Sequence, residues 1–243
     1  MLNVSFSIFQ RDRPPRITSY TVASVNEKSV IQANDCQVFF FPFFPGRDNS
    51  EYSNTLTNVS LLDAFGASER LTIWCMLETP LGILYAREIA AAGPRLAALV
   101  LGTSDLTKDL HALPTHDRLP LLTSLSIAIL AARAHGLAVL DGVHLDLADD
   151  EGFVAACRQG RELGFDGKTL IHPKQIAAAN AAFAPTKEEV EWSRRIIAAH
   201  SEAAAAGKGV VLVEGRLIEN LHVENARRLL ALADEIERLS GEK

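Results

Sequence analysis

Glu78 and Asp105 are the two residues whose type and spacing first suggest chemistry. They stand 27 positions apart, and each follows an apolar run: Leu71 to Leu77 ends at Glu78-Thr79-Pro80, and Ala97 to Leu101 ends at Gly102-Thr103-Ser104-Asp105. That interval is about one strand–helix unit, so the two carboxylates would face one another from equivalent ends of neighbouring strands. Two carboxylate oxygens, completed by water and substrate oxygens, suit a hard divalent ion, Mg²⁺ above all. The plainer reading makes Asp105 a helix N-cap and Glu78 part of a solvated loop. Gly102-Thr103-Ser104 is a small-residue turn ahead of a helix-compatible stretch. Its backbone amides could hold a substrate carboxylate, or it could be only a turn. His172, at a strand end before Pro173, could stack on or hydrogen-bond a ligand, or anchor the strand-to-helix turn. Glu219 follows Leu217-Ile218 and, read locally, caps the last helix. Asp141, Asp146 and Asp149 read as an acidic, solvated loop, and Cys75 as a buried residue inside a strand.

Composition narrows the classes. The 243 residues carry 30 acids against 24 Lys and Arg, a formal charge of −6, which argues against nucleic acid or an anionic membrane as partner. No apolar run approaches the roughly 18–20 residues of a membrane helix. Three well-separated cysteines, Cys36, Cys75 and Cys157, point to a reducing, cytoplasmic compartment rather than to disulfides or a zinc cage. There is no Gly-x-Gly-x-x-Gly, no phosphate loop, no Gly-x-Ser-x-Gly and no His-Glu-x-x-His. Dinucleotide redox, nucleotide hydrolysis, serine hydrolysis and zinc proteolysis all lose weight.

The elements that must position these residues emerge from the hydrophobic period. Residues 1–68 hold 10 of the 16 aromatics and only 4 alanines, with no sustained period. From residue 69 the pattern alternates. Strands are expected at Leu71–Leu77, Ala97–Leu101, Ala138–Leu140 and Lys168–Ile171. Helices are expected at Leu84–Ala92, Leu119–His135 up to Gly136, and Glu151–Leu163 up to Gly164. Thr186-Lys187-Glu188-Glu189 reads as a capping box opening a helix that ends at Gly207. A short apolar run, Val210–Val213, a turn at Glu214-Gly215 and an amphipathic helix at Leu221–Leu239 complete the chain. Such alternation predicts an α/β fold with a parallel sheet, either a barrel or an open doubly wound sheet. In both, chemistry collects at the carboxyl ends of the strands.

The motifs resemble the HpcH/HpaI aldolase and citrate lyase β-subunit family. They are Leu77-Glu78-Thr79-Pro80-Leu81-Gly82 with Ala86 and Glu88-Ile89-Ala90, Leu101-Gly102-Thr103-Ser104-Asp105-Leu106 with Asp109-Leu110, and the run from Gly164 through Lys168, His172 and Pro173 to Gln175. Residues 183–189 and 207–226 look like the tail of its acyl-CoA lyase branch, which includes malyl-CoA lyase-like enzymes. The likeness covers about residues 69–235. It implies a (β/α)₈ TIM barrel assembling as trimers or hexamers. It also implies Mg²⁺-dependent cleavage or formation of a carbon–carbon bond beside a CoA thioester. Glu78 and Asp105 fall on the family's metal carboxylates. Glu219 falls where the family carries an aspartate in a C-terminal lid, implicated in proton transfer and here one methylene longer.

Residues 1–68 carry neither the family's Leu-Glu-Asp phrase nor its substrate-binding Arg-x-Asn phrase. The expected organisation is therefore an unmatched and poorly ordered 1–68, a partial barrel with the metal site over 69–185, and a helical lid segment over 186–243. The chain reads as the C-terminal half of the barrel plus that lid. Two functions follow. One is a Mg²⁺-dependent lyase of a malyl- or citramalyl-type CoA thioester. The other is a truncated, non-catalytic relative that keeps the carboxylates and acts only through assembly, or not at all.

Overall fold

The computed structural model describes the backbone of residues 3–4, 21–25, 28–33 and 36–40, and residues 72–207 and 209–241, with side chains at 72–207 and 209–240. Two compact units divide the chain, residues 1–183 and 184–243.

In the first unit eight strands form one sheet in sequence order: β1 (Asn3–Val4), β2 (Thr21–Val25), β3 (Lys28–Ala33), β4 (Cys36–Phe40), β5 (Thr72–Leu77), β6 (Leu96–Leu101), β7 (Ala138–Asp141) and β8 (Gly167–Lys168). From β1 to β4 neighbouring strands run antiparallel. From β4 to β8 every pairing is parallel. The expectation of a poorly ordered first 68 residues falls, apart from those four backbone strands, outside the described residues.

Each parallel crossover after β5 carries helix. The segment expected as one helix over 84–92 is two: α1 (Pro80–Leu84) and α2 (Ala86–Ala90), meeting at Tyr85. The first begins early because Thr79 accepts a hydrogen bond from Gly82 N at 3.0 Å and Pro80 supplies the fixed φ of a first helical position. α3 (Thr103–Asp109) and α4 (Leu122–Ala134) follow β6, α5 (Asp150–Leu163) follows β7, and α6 (Ile176–Phe183) follows β8. The ladder of β8 ends at Lys168, short of the expected Ile171.

Alternate residues of β5, β6 and β7, such as Ile73, Cys75, Leu77, Leu99, Leu101 and Val139, point into one core with Ile89, Leu106, Leu125, Ala128, Phe153 and Phe183 from the helices. That period of two is what a sheet packed under helices requires. At the amino edge of β7 a second device holds the layers. Arg133, near the end of α4, donates from both Nη atoms to Asp166, each at 2.8 Å, and reaches the carbonyl of Gly164. Asp166 in turn accepts from Val139 N at 2.8 Å.

The second unit is α7 (Lys187–Ala205), a hairpin of β9 (Val211–Val213) and β10 (Arg216–Ile218), and α8 (Asn220–Gly241). The expected capping box is present: Thr186 Oγ1 accepts from Glu189 N, and the Glu189 carboxylate accepts from Thr186 N. The hairpin turns on Glu214 (φ 49°) and Gly215 (φ 79°), the left-handed pair that matches strand twist in a two-residue loop. Ile196, Ile218, Val223 and Ala226 form its small core. Among the described residues no helix is long and apolar enough to cross a membrane.

The Arg133–Asp166 clamp sits at the amino edge, where barrel folds keep stability rather than chemistry. Asp166→Ala leaves the Val139 amide without its acceptor and the Arg133 guanidinium with only the Gly164 and Leu137 carbonyls, and is expected to lower unfolding free energy by about 1–3 kcal/mol. Urea unfolding followed by circular dichroism measures it; an unchanged midpoint would remove the clamp from the account.

Candidate functional site

The register of β5 on β6 builds the site. Leu77 lies opposite Leu101, and Gly102 N donates to the Leu77 carbonyl at 2.9 Å. Glu78 and Gly102 are therefore the first residues beyond two adjacent strands on the carboxyl edge. Their approach is close. A Cβ built on Gly102 would stand 2.4 Å from Glu78 Cβ and 2.9 Å from Glu78 Oε2. Only glycine leaves room there, and the side chain it admits is a carboxylate. Gly102 is also the N-cap of α3, which brings Asp105 into the helix's first turn.

The two carboxylates differ in setting. Glu78 is half-buried and Asp105 is exposed. Lys108, one turn on, has its Nζ 3.6 Å from Asp105 and 3.4 Å from Asp109. The Asp109 hydrogen bond and charge, followed by the Asp105 charge, hold the Lys108 proton more tightly than usual. Among the described residues no group of three or more His, Cys, Asp or Glu converges as a metal cage. A pair of hard oxygen donors on an open edge fits Mg²⁺, which keeps several waters and is commonly held through one or two carboxylates plus substrate. Glu78 and Asp105 are the residues that could hold it.

The remaining sequence candidates are placed as follows. Thr103 is buried and opens α3, with its carbonyl accepting from Thr107 Oγ1 at 2.6 Å; Ser104 is exposed. His172 is exposed, and its Nδ1 accepts from Lys174 N at 3.1 Å, capping the 3₁₀ turn Pro173–Gln175. That is the anchoring alternative, and it commits one ring nitrogen. Gln175, buried at the same turn, accepts from Ile171 N and donates to the His144 carbonyl, both at 3.2 Å. Glu219 lies in the second unit, half-buried, just before α8; its carbonyl accepts from His222 N and Val223 N, and its own N donates to His222 Nδ1.

The solvated-loop reading of Asp141, Asp146 and Asp149 needs correction. Asp146 is exposed, but Asp149 is half-buried and caps α5 through Gly152 N at 2.8 Å. Asp141 has no exposed surface at all. Arg118 Nη1 donates to both its oxygens at 2.7 Å, Lys168 Nζ to Oδ2 at 3.0 Å, and Gly142 N to Oδ1 at 2.8 Å. The partners lie 23 and 27 positions away, so no local pattern reveals them. The one signal in the sequence is that Asp141 directly follows the apolar run Ala138–Leu140; its register with Lys168 comes from the structure.

Comparison with known proteins gives the family and the fold. A family model for HpcH/HpaI aldolase/citrate lyase matches residues 16–173, beginning inside the stretch that the motifs left unassigned. The chain is 51% identical over 166 residues to (3S)-malyl-CoA thioesterase of Cereibacter sphaeroides, covering 68% of this chain and 58% of that protein. It is 36% identical over 158 residues to citrate lyase subunit beta of Escherichia coli K12, covering 65% and 52%. The chain thus spans little more than half the length of these curated relatives. Among solved structures, protein CitE from Mycobacterium tuberculosis in complex with magnesium, acetoacetate and coenzyme A matches with TM-score 0.58 at 30% identity, over 68% of this chain and 61% of that one. A citrate lyase from Burkholderia xenovorans LB400 matches with TM-score 0.64 at 22% identity, over 76% and 60%, which bears on the fold alone. With the parallel β4–β8 ladder, these likenesses make the fold α/β, of the TIM-barrel class, with part of that fold present.

Cys157, on α5 beside the Asp141 cluster, reports on how dry that layer is. Burial pushes its thiol up to about 11, overriding the downward pull of the Lys168 charge. The folded chain keeps the proton where the unfolded one, near the ordinary 9.0, releases it. Stability therefore falls as pH rises from about 9 to about 11. Cys157→Ala is expected to flatten that part of the pH profile of unfolding, and native Cys157 to resist thiol reagents at pH 8. Rapid labelling of the folded chain at Cys157 would contradict both.

Proposed function

The chain belongs to the HpcH/HpaI aldolase/citrate lyase family, and from that premise we propose that it is a Mg²⁺-dependent carbon–carbon lyase of a hydroxyacyl-CoA thioester, of malyl or citramalyl type. The observation that carries the reading is the packing of Glu78 over Gly102, with Asp105 in the helix turn that Gly102 opens. The names of the relatives, a malyl-CoA thioesterase and citrate lyase β subunits, and a neighbour solved with magnesium and coenzyme A, support the substrate class.

Glu78 and Asp105 hold the ion through oxygen. When bound, Mg²⁺ would polarise the substrate's carboxylate and its hydroxyl or carbonyl oxygen and offset the charge that develops as the carbon–carbon bond breaks. The Gly102 amide is taken by the Leu77 carbonyl, so the amides of Thr103 and Ser104 that follow it orient a substrate carboxylate at the start of α3. His172 presents its uncommitted Nε2 to the ligand. Glu219 carries the proton from the C-terminal unit, acting across a homo-oligomer of trimer or hexamer type. The expected setting is the cytoplasm, without nucleic acid or membrane partners.

An assay for the 2-oxo acid released together with acetyl-CoA, glyoxylate from malyl-CoA or pyruvate from citramalyl-CoA, tests this. Turnover is expected with Mg²⁺ and not with EDTA. Asp105→Ala should lower it more than about 100-fold, since such a metal contributes several kcal/mol. Glu219→Gln should lower kcat more than KM. A folded chain that binds Mn²⁺ through Asp105 yet releases neither 2-oxo acid nor acetyl-CoA would instead support the non-catalytic relative.

A further inference from the structure

We propose that Asp141 and Gly142 are positioning residues for the Glu78–Asp105 pair, acting through Thr103. The inference rests on reading that pair as a divalent-metal site.

The start of α3 is wedged between two neighbouring strand ends. On the β5 side, Gly102 meets Glu78 as described. On the β7 side, Gly142 meets Thr103. A Cβ built on Gly142 would stand 2.2 Å from Thr103 Oγ1, 2.6 Å from Thr103 Cγ2 and 2.8 Å from the Leu101 carbonyl. Real side chains do not approach so closely, so any larger residue at 142 must move Thr103 and the backbone before it. Thr103 is the first residue of α3, two positions before Asp105. The clearance at Gly142 therefore sets where Asp105 stands relative to Glu78.

Gly142 cannot retreat, because Asp141 is tied at every polar group the structure describes. Its carboxylate takes Arg118, Lys168 and the Gly142 amide itself. Its carbonyl accepts from Thr169 N at 3.0 Å and from Thr169 Oγ1 at 3.1 Å. A buried carboxylate so held fixes the peptide that follows it. The force path runs from the buried ion cluster to Gly142, to Thr103, and along one helical turn to Asp105. Groups one layer behind metal ligands typically tune metal affinity by about 10- to 100-fold.

The test uses the full chain and Mn²⁺, whose free ion is counted by electron paramagnetic resonance. Wild type is expected to bind one Mn²⁺, lost in Asp105→Asn. Gly142→Ala is expected to weaken Mn²⁺ by about 10- to 100-fold while keeping a cooperative thermal transition. Thr103→Ala opens the same contact instead of overfilling it and is expected to weaken Mn²⁺ several-fold. The double variant Gly142→Ala/Thr103→Ala should lose less affinity than the two single losses added together, because the Thr103 side-chain part of the clash is gone while the Leu101 carbonyl contact remains. Residues in contact couple in this way, so that non-additivity in Mn²⁺ affinity, with the thermal transition retained, locates the effect at the Gly142–Thr103 contact. Gly142→Ala binding as wild type overturns the proposal. If Gly142→Ala does not fold, Thr103→Ala decides, and wild-type affinity there overturns it. Mn²⁺ binding indifferent to Asp105→Asn would instead remove the metal reading itself, a result separable from the others.

Discussion

Asp141 is a carboxylate with no water around it. An ion placed there must be paired and hydrogen-bonded or the structure fails, because desolvation alone costs several kcal/mol. Here two cations converge on one anion, Arg118 with both oxygens and Lys168 with one. The cluster of these three side chains carries an excess positive charge, and among the described residues Arg118 Nη2 is buried without a hydrogen-bond partner. Coulomb attraction to that charge would favour a thiolate at Cys157, yet burial keeps the thiol protonated. Desolvation therefore outweighs the cations in this layer. By the same measure, removal of one member of the cluster would cost about 3–5 kcal/mol.

The cluster does more than stabilise. Only two register pairs join β7 to β8, and one of them is Asp141 with Lys168. Paired residues in a parallel ladder share a face, so the ion pair lies directly across the ladder that it reinforces. A two-residue strand has little backbone hydrogen bonding to resist slippage, and a slip of one would turn Lys168 to the opposite face. Arg118 extends the same hold to the loop before α4. It adopts φ 54°, an uncommon conformation for a residue with a Cβ, and is anchored by Gln159 Oε1 at 2.6 Å as well as by Asp141.

What was legible in the sequence follows from range. β5, β6 and α5 were readable because apolar period and caps lie within a few residues, as did the capping box at Thr186 and Glu189. Glu78 and Asp105 could be placed on one edge because a strand–helix unit has a nearly fixed length. Gly102 signalled a turn, but not that its missing side chain makes room for Glu78; that needs the register of β5 on β6. The break at Tyr85 was missed because Thr79 and Pro80 begin a helix earlier than the apolar period does. Asp141 was misread for a different reason. Three acids within nine positions look solvated when counted along the chain, and only tertiary partners distinguish the buried one.

Two glycines flank the segment that leads to Asp105: Gly102 meets Glu78, and Gly142 meets Thr103. Backbone hydrogen bonds fix the spacing of neighbouring strands, and the side chains beyond their ends decide how closely the following loops approach. At Gly102 and Gly142 the backbone itself is the contact surface, so the segment from Leu101 to Thr103 is located by covalent geometry on both flanks. Such a wedge transmits displacement poorly in most directions and well in one, along α3 toward Asp105. Selection for a metal pair would thus act on residues with no oxygen to offer. On the proposed reading, the buried cluster at Asp141 would serve that pair through immobility rather than through contact with the ion.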